Sequence, residues 1–155
     1  METFKRDGSM SYSTSAIIML AAGLGVPVLA ALNAALGQFI GSPVAAVTIL
    51  LCVAFSTTCI IFLTTSSLPI NLIFEAPRHL FLGGLFMVFY ILSITTIAPS
   101  FGVGNAIFFV LLGQLISAAA IDHLALFGST GSSLTWTRST GLVVMALGVW
   151  LTQQA

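Results

Sequence analysis

From Gly8 to Phe74, and again from Leu80 to Ile121, the chain contains no lysine, arginine, aspartate or glutamate. A helix needs about 20 apolar residues to cross the roughly 30 Å hydrocarbon core of a bilayer, and both runs are far longer. Soluble domains carry about a quarter charged residues; this chain carries 5%, too few for a water-facing surface. It reads as a multi-pass membrane protein whose immediate partner is the lipid bilayer. Its 155 residues suit one membrane domain, residues 15–155, after a short cytoplasmic segment, residues 1–14.

Helix breakers divide that domain into five expected spans, near residues 15–36, 43–66, 79–98, 101–121 and 139–153. Ser42-Pro43 reads as an N-cap followed by proline at the first helical position. Pro69 and Pro77 make residues 66–80 a loop, "APSFG" (Ala98 to Gly102) a tight hairpin, and residues 127–138 a flexible polar connection. The expected fold class is an all-α membrane protein, a five-transmembrane-helix bundle, because helices and closed barrels alone satisfy backbone polar groups in lipid. Lys5, Arg6, Arg78 and Arg138 all fall on one side of it. The positive-inside rule makes that side cytoplasmic, with the N-terminus inside and the C-terminus outside.

An odd span count means that a second, directly fused copy would insert upside down. Inverted repeats with a site at their interface are a recurring transporter architecture, and five helices alone leave little room for a closed path. The sequence therefore points to a homodimer, or a heterodimer with an oppositely oriented homologue.

Other classes find little support. The net charge is zero with no basic cluster, so nucleic acid is not an expected partner. Cys52 and Cys59, seven apart in one apolar run, read as small packing residues. Lys5 and Arg6 precede an apolar run from Ala16 to Leu36 that exceeds the h-region of a signal peptide, so the first helix is expected to be retained. No HExxH, G-x-S-x-G, P-loop or metal-spaced His/Cys cluster occurs. Neither an enzyme nor a cofactor nor a metal is expected.

The polar and small residues inside the spans are the site candidates. In the first span Gly23, Gly25 and Pro27 make a mid-membrane helix break, either a packing kink or an opening onto a substrate path. Ala30, Asn33 and Gly37 share one face that admits a close neighbour; Asn33 bonds another helix or a ligand. Ala45, Thr48, Cys52, Ser56 and Cys59 give the second span a helix-contact face. Gly83 and Gly84 open the third span as packing positions. Tyr90 lies far from either aromatic belt and its phenol needs a partner. Ser93, Thr95 and Thr96 can bond their own backbone and carry little weight. In the fourth span Asn105 is near the outer end and Gln114 near the centre, beside a small-residue strip of Gly113, Ser117 and Ala120. Asp122 and His123 sit at its inner end, where a protonatable pair can couple transport to protons or Asp122 can pair with Arg138 or Arg78.

"ALNAALGQFIGSPVAA" (Ala31 to Ala46), "GGLFMVFYILSITTIAPSFGVGNA" (Gly83 to Ala106) and "GQLISAAAIDHLALFG" (Gly113 to Gly128) resemble the YdcZ-type family of the drug/metabolite transporter superfamily, EamA-like half-transporters. The closing "RSTGLVVMALGVWL" (Arg138 to Leu151) fits the same pattern. The resemblance implies a five-helix protein of the bacterial inner membrane, equivalent to half of a ten-helix inverted-repeat transporter. It places Asn33, Gly37, Pro43, Gly83, Gly84, Pro99, Gly102, Gly113, Gln114, Asp122 and His123 at motif positions, and it gives a class but no ligand. The small multidrug exporters of the wider superfamily use a mid-membrane glutamate in the first helix. This chain has no acid there, so their exchange mechanism does not carry over.

The sequence thus points to a secondary transporter exporting a small metabolite or drug-like solute by alternating access across a dimer interface. Asn33, Tyr90, Asn105 and Gln114 are the pathway candidates. The alternative is a non-transporting membrane subunit that assembles with or regulates another membrane protein.

Overall fold

The computed structural model describes residues 11–65, 70–128 and 135–154. Lys5, Arg6 and most of the expected N-terminal segment lie outside them, as do parts of both expected cytoplasmic loops. The described residues are all-helical, in the order α1 (Tyr12–Ile40), α2 (Pro43–Thr65), α3 (Ile70–Glu75), a 3-10 turn (Arg78–Leu82), α4 (Gly83–Phe101), α5 (Val103–His123), a second 3-10 turn (Leu126–Gly128) and α6 (Trp136–Thr152). By length and hydropathy, four segments among the described residues can cross a membrane: Tyr12–Ile40, Pro43–Thr65, Arg78–Phe101 and Val103–His123. α6 has 17 residues, about 26 Å at 1.5 Å per residue.

The helix ends follow local chemistry. α1 continues to Ile40, past the expected end near Leu36, because the turn is made by Gly41 at φ 75°, a left-handed conformation cheap only for glycine. The Gly41 and Ser42 amides then donate to the carbonyls of Gln38 and Gly37, closing the helix as a left-handed C-cap does. Ser42 Oγ accepts the Ala45 amide at 3.2 Å and Pro43 opens α2.

Both internal prolines differ from expectation. Pro27 removes one hydrogen bond from the ladder, yet α1 runs unbroken through Gly23, Gly25 and Pro27. Pro99 lies inside α4, which continues to Phe101, and the turn into α5 is Gly102 alone, at φ 89°. A proline costs less in a membrane helix, where neighbouring groups can re-satisfy the freed carbonyl. In the expected loop of residues 66–80 the structure has α3 and the 3-10 turn, whose Leu80 amide donates to Pro77 O at 3.0 Å; proline starts that turn without breaking it. Residues 66–69 and 129–134 lie outside the described residues.

α1 packs against α2 and α4 and also touches α5; α2 meets α4, α4 meets α5, and among the described residues α6 rests on α5 alone. Most of the buried residues gather at the end of the bundle carrying the Gly41 and Gly102 turns, among them Ala30, Ala34, Ala46, Ile91, Ile94, Ala98 and Ala106, while Ala119 is buried toward the other end of α5. Most are alanines, so backbones approach closely. Gly37 shows why. A Cβ built there would sit 3.3 Å from Thr95 Cγ2 and 3.4 Å from Pro43 Cα. At the other end the helices separate. Ile17, Leu20, Leu24, Leu63, Phe86 and Phe89 are exposed, as suits side chains that meet lipid or another chain.

Candidate functional site

The separation of α4 from α5 leaves a groove of about 730 Å³ along the bundle. Two turns of α4 supply Phe86, Phe89, Tyr90 and Ser93, while Phe109, Gly113, Gln114 and Ser117 come from α5. The spacing explains the arrangement: Phe86, Tyr90 and Ser93 recur at i, i+4 and i+7, and Phe109, Gly113 and Ser117 every four residues, so each set lines one helix face. The remaining wall is aliphatic or aromatic.

Tyr90 is half-buried against the core formed by Ala30, Ala34, Ile94, Ala98 and Ala106. Its hydroxyl is shielded and has no hydrogen-bond partner among the described residues. Buried hydroxyls normally have one; this one is shielded from the groove as well, so Tyr90 lines the groove without presenting its hydroxyl to it. Gln114 and Ser117 are exposed to the groove. A Cβ at Gly113 would meet nothing within 4 Å, and the same holds at Gly23, Gly25, Gly83 and Gly84. Of the six glycines expected to break or pack helices, Gly37 alone is pressed against a neighbour within the described residues.

The other pathway candidates lie elsewhere. Asn33 is buried, at 3% exposure, and its Nδ2 donates to Thr95 Oγ1 at 2.6 Å. This bond ties α1 to α4 inside the core, away from the groove. Sequence reasoning gave Thr95 little weight as a residue satisfied by its own backbone; it is 1% exposed and accepts from Asn33. The available signal was the buried set Ile91, Ile94, Thr95 and Ala98, an i, i+3, i+4, i+7 stripe. Asn105 Nδ2 donates to Phe101 O at 2.9 Å, bracing the Gly102 turn.

At the far end of α5, Asp122 Oδ2 accepts from Arg138 Nη2 at 2.6 Å, with about a third of each side chain exposed. The pair links the end of α5 to the start of α6. His123, one residue on, borders a separate hollow with Ile116, Ala119 and Leu142. Neighbouring helical residues point about 100° apart. Among the described residues no group of three or more His, Cys, Asp or Glu could hold a metal ion.

The family described as "Putative inner membrane exporter, YdcZ" matches residues 14–151. The chain belongs to the YdcZ family. That family lies in the drug/metabolite transporter superfamily, and membership makes the chain a membrane transporter of the inner membrane, several of whose helices are long enough to span it. No curated protein and no solved structure matches the chain.

Proposed function

We propose that this YdcZ-family chain is half of a secondary transporter, exporting a small metabolite or drug-like solute by alternating access between two copies, or between this chain and an oppositely oriented homologue. The observation that carries the proposal is the α4–α5 groove. It is large enough for a small-molecule site, typically about 300–1,000 Å³, and walled by two helices, so a second half must close it. Ser93, Gln114 and Ser117 are its polar points, and Tyr90 belongs to its wall; Asn33 and Asn105 serve the helix scaffold. Helix-lined cavities between repeats are where such transporters hold substrate.

α6 serves as a fifth span in this reading, placing the N-terminus inside and the C-terminus outside. The Asp122–Arg138 pair supports it by holding the start of α6 at the same end of the bundle as the end of α5. Open glycines such as Gly83 and Gly113 suit close approach of the second half.

The test is flux by the purified chain in liposomes. Saturable transport that falls in Gln114→Leu, with helix content and thermal stability unchanged, supports the reading. A chain acting only as a non-transporting subunit gives the same leak as protein-free liposomes.

A further inference from the structure

Hydroxyls in the spans are satisfied inside their own helix: Thr48, Ser56, Thr57 and Thr58 of α2 donate to carbonyls one turn back. The carboxamides of Asn33 and Asn105 also have partners, in Thr95 and the Phe101 carbonyl. Gln114 does not. It is exposed along the α4–α5 groove, and its side chain makes no hydrogen bond among the described residues. Acyl chains offer an amide no partner, and leaving one unsatisfied in hydrocarbon is costly. Lipid therefore does not cover this point of the wall; another polar group meets it.

The place of Gln114 along α5 says which. It lies eleven residues after Val103 and nine before His123, so the helix midpoint is one residue away, about 1.5 Å. When two copies are inserted in opposite senses, their two-fold axis lies in the membrane plane. Only residues at mid-depth then meet their own counterparts, while residues above the middle meet residues below it. A carboxamide carries both a donor and an acceptor, so two of them form a closed pair with two hydrogen bonds. Beside it, a Cβ at Gly113 would meet nothing within 4 Å, which leaves room for a second helix to come close. Asp122 is already paired with Arg138 and, in an inverted pair, stands at the opposite membrane face from its counterpart.

Resting on the transport reading above, we propose that the second half closing the groove is an inverted copy of this chain, and that the Gln114 carboxamides of the two copies hydrogen-bond each other where their α5 helices cross. Val110 and Ala118 line the groove one turn to either side of Gln114. Val110 of each copy faces Ala118 of the partner subunit, while the two Val110 side chains stand about 12 Å apart along the helices, beyond disulfide reach.

Oxidative crosslinking of the full chain in liposomes tests this. With Cys52 and Cys59 replaced by serine, single cysteines are introduced as Gln114→Cys, Val110→Cys and Ala118→Cys. Ile116→Cys, exposed but outside the groove lining, reports random collision. Gln114→Cys is expected to form dimers faster than Ile116→Cys. Val110→Cys and Ala118→Cys should stay monomeric alone and crosslink when mixed before reconstitution. Gln114→Leu, made in the otherwise unaltered chain, should weaken dimerisation about tenfold, read by energy transfer on dilution into lipid.

Gln114→Cys that links no faster than Ile116→Cys overturns the proposal. So does self-linking of Val110→Cys and of Ala118→Cys without a mixed product, the mark of a parallel dimer. Unchanged dimer affinity in Gln114→Leu overturns it as well, and is the result expected if a solute or water alone meets the carboxamide. Flux in liposomes separates the two levels: the expected crosslinks without flux remove the transport reading and keep the pair, whereas saturable flux by a chain that does not crosslink removes the pair alone.

Discussion

The Asn33–Thr95 contact separates a scaffold role from a pathway role. The bond is short, 2.6 Å, and both residues are shielded, at 3% and 1% exposure, so water cannot replace either partner. Interhelical hydrogen bonds in membrane proteins average about 0.6 kcal/mol and reach about 1.7; a bond this short and dry belongs toward the upper end. Asn33→Ala also leaves a small void beside Ala30 and Gly37, bringing the expected loss to about 1–3 kcal/mol. A double-mutant cycle of Asn33→Ala with Thr95→Val, read from reversible unfolding in mixed micelles, should show a coupling energy near 1–1.7 kcal/mol. Pairing Asn33→Ala with Asn105→Ala should show none, since Asn105 bonds the Phe101 carbonyl. Solute affinity should stay at the wild-type value in every variant that folds. A coupling of zero, or a loss of affinity without a loss of stability, would refute the reasoning and return Asn33 to the pathway.

Gly37→Leu should destabilise the bundle by about 1–3 kcal/mol through overpacking, because its Cβ meets Thr95 and Pro43, whereas Gly113→Ala should leave the unfolding transition of the single chain in place, having open space around it. Gly102→Ala, at φ 89° and ψ 135°, should cost about 1–3 kcal/mol and lower the thermal midpoint without altering helix content measured by circular dichroism. Asp122→Asn should cost at most about 1 kcal/mol, given the exposure of the pair, and exchanging the two charges in Asp122→Arg with Arg138→Asp should restore the stability lost by either single change.

The long helices are legible in the sequence because their cause is local. Long uncharged runs without strand alternation leave helix as the fold in lipid, and Ser42-Pro43 and Gly102 announce turns through their own backbone preferences, whereas the Gly41 turn goes unannounced and α1 runs past its expected end. Pro27 and Pro99 mislead for a physical reason, since rules drawn from water overstate what proline does to a helix among other helices. Tyr90 and Gln114 stand out as polar residues in apolar spans, but a span shows only that a polar residue needs a partner. Which partner is decided between helices: Asn33 finds Thr95 sixty-two residues away, Asn105 finds its own turn, and Tyr90 finds none among the described residues. The phenylalanines of the groove carry no sequence signal, because lipid-facing and solute-facing rings look alike until α4 and α5 are set side by side.

The central claim, that the α4–α5 groove is the solute path, is tested most directly by thiol modification at Ser117. With Cys52 and Cys59 replaced by serine, Ser117→Cys is reconstituted in liposomes and treated with a bulky maleimide while counterflow of a radiolabelled phenyl glycoside, neutral and slow to cross lipid, is followed. The account predicts that modification abolishes counterflow and that excess solute slows the modification. Complete modification with counterflow unchanged would contradict it.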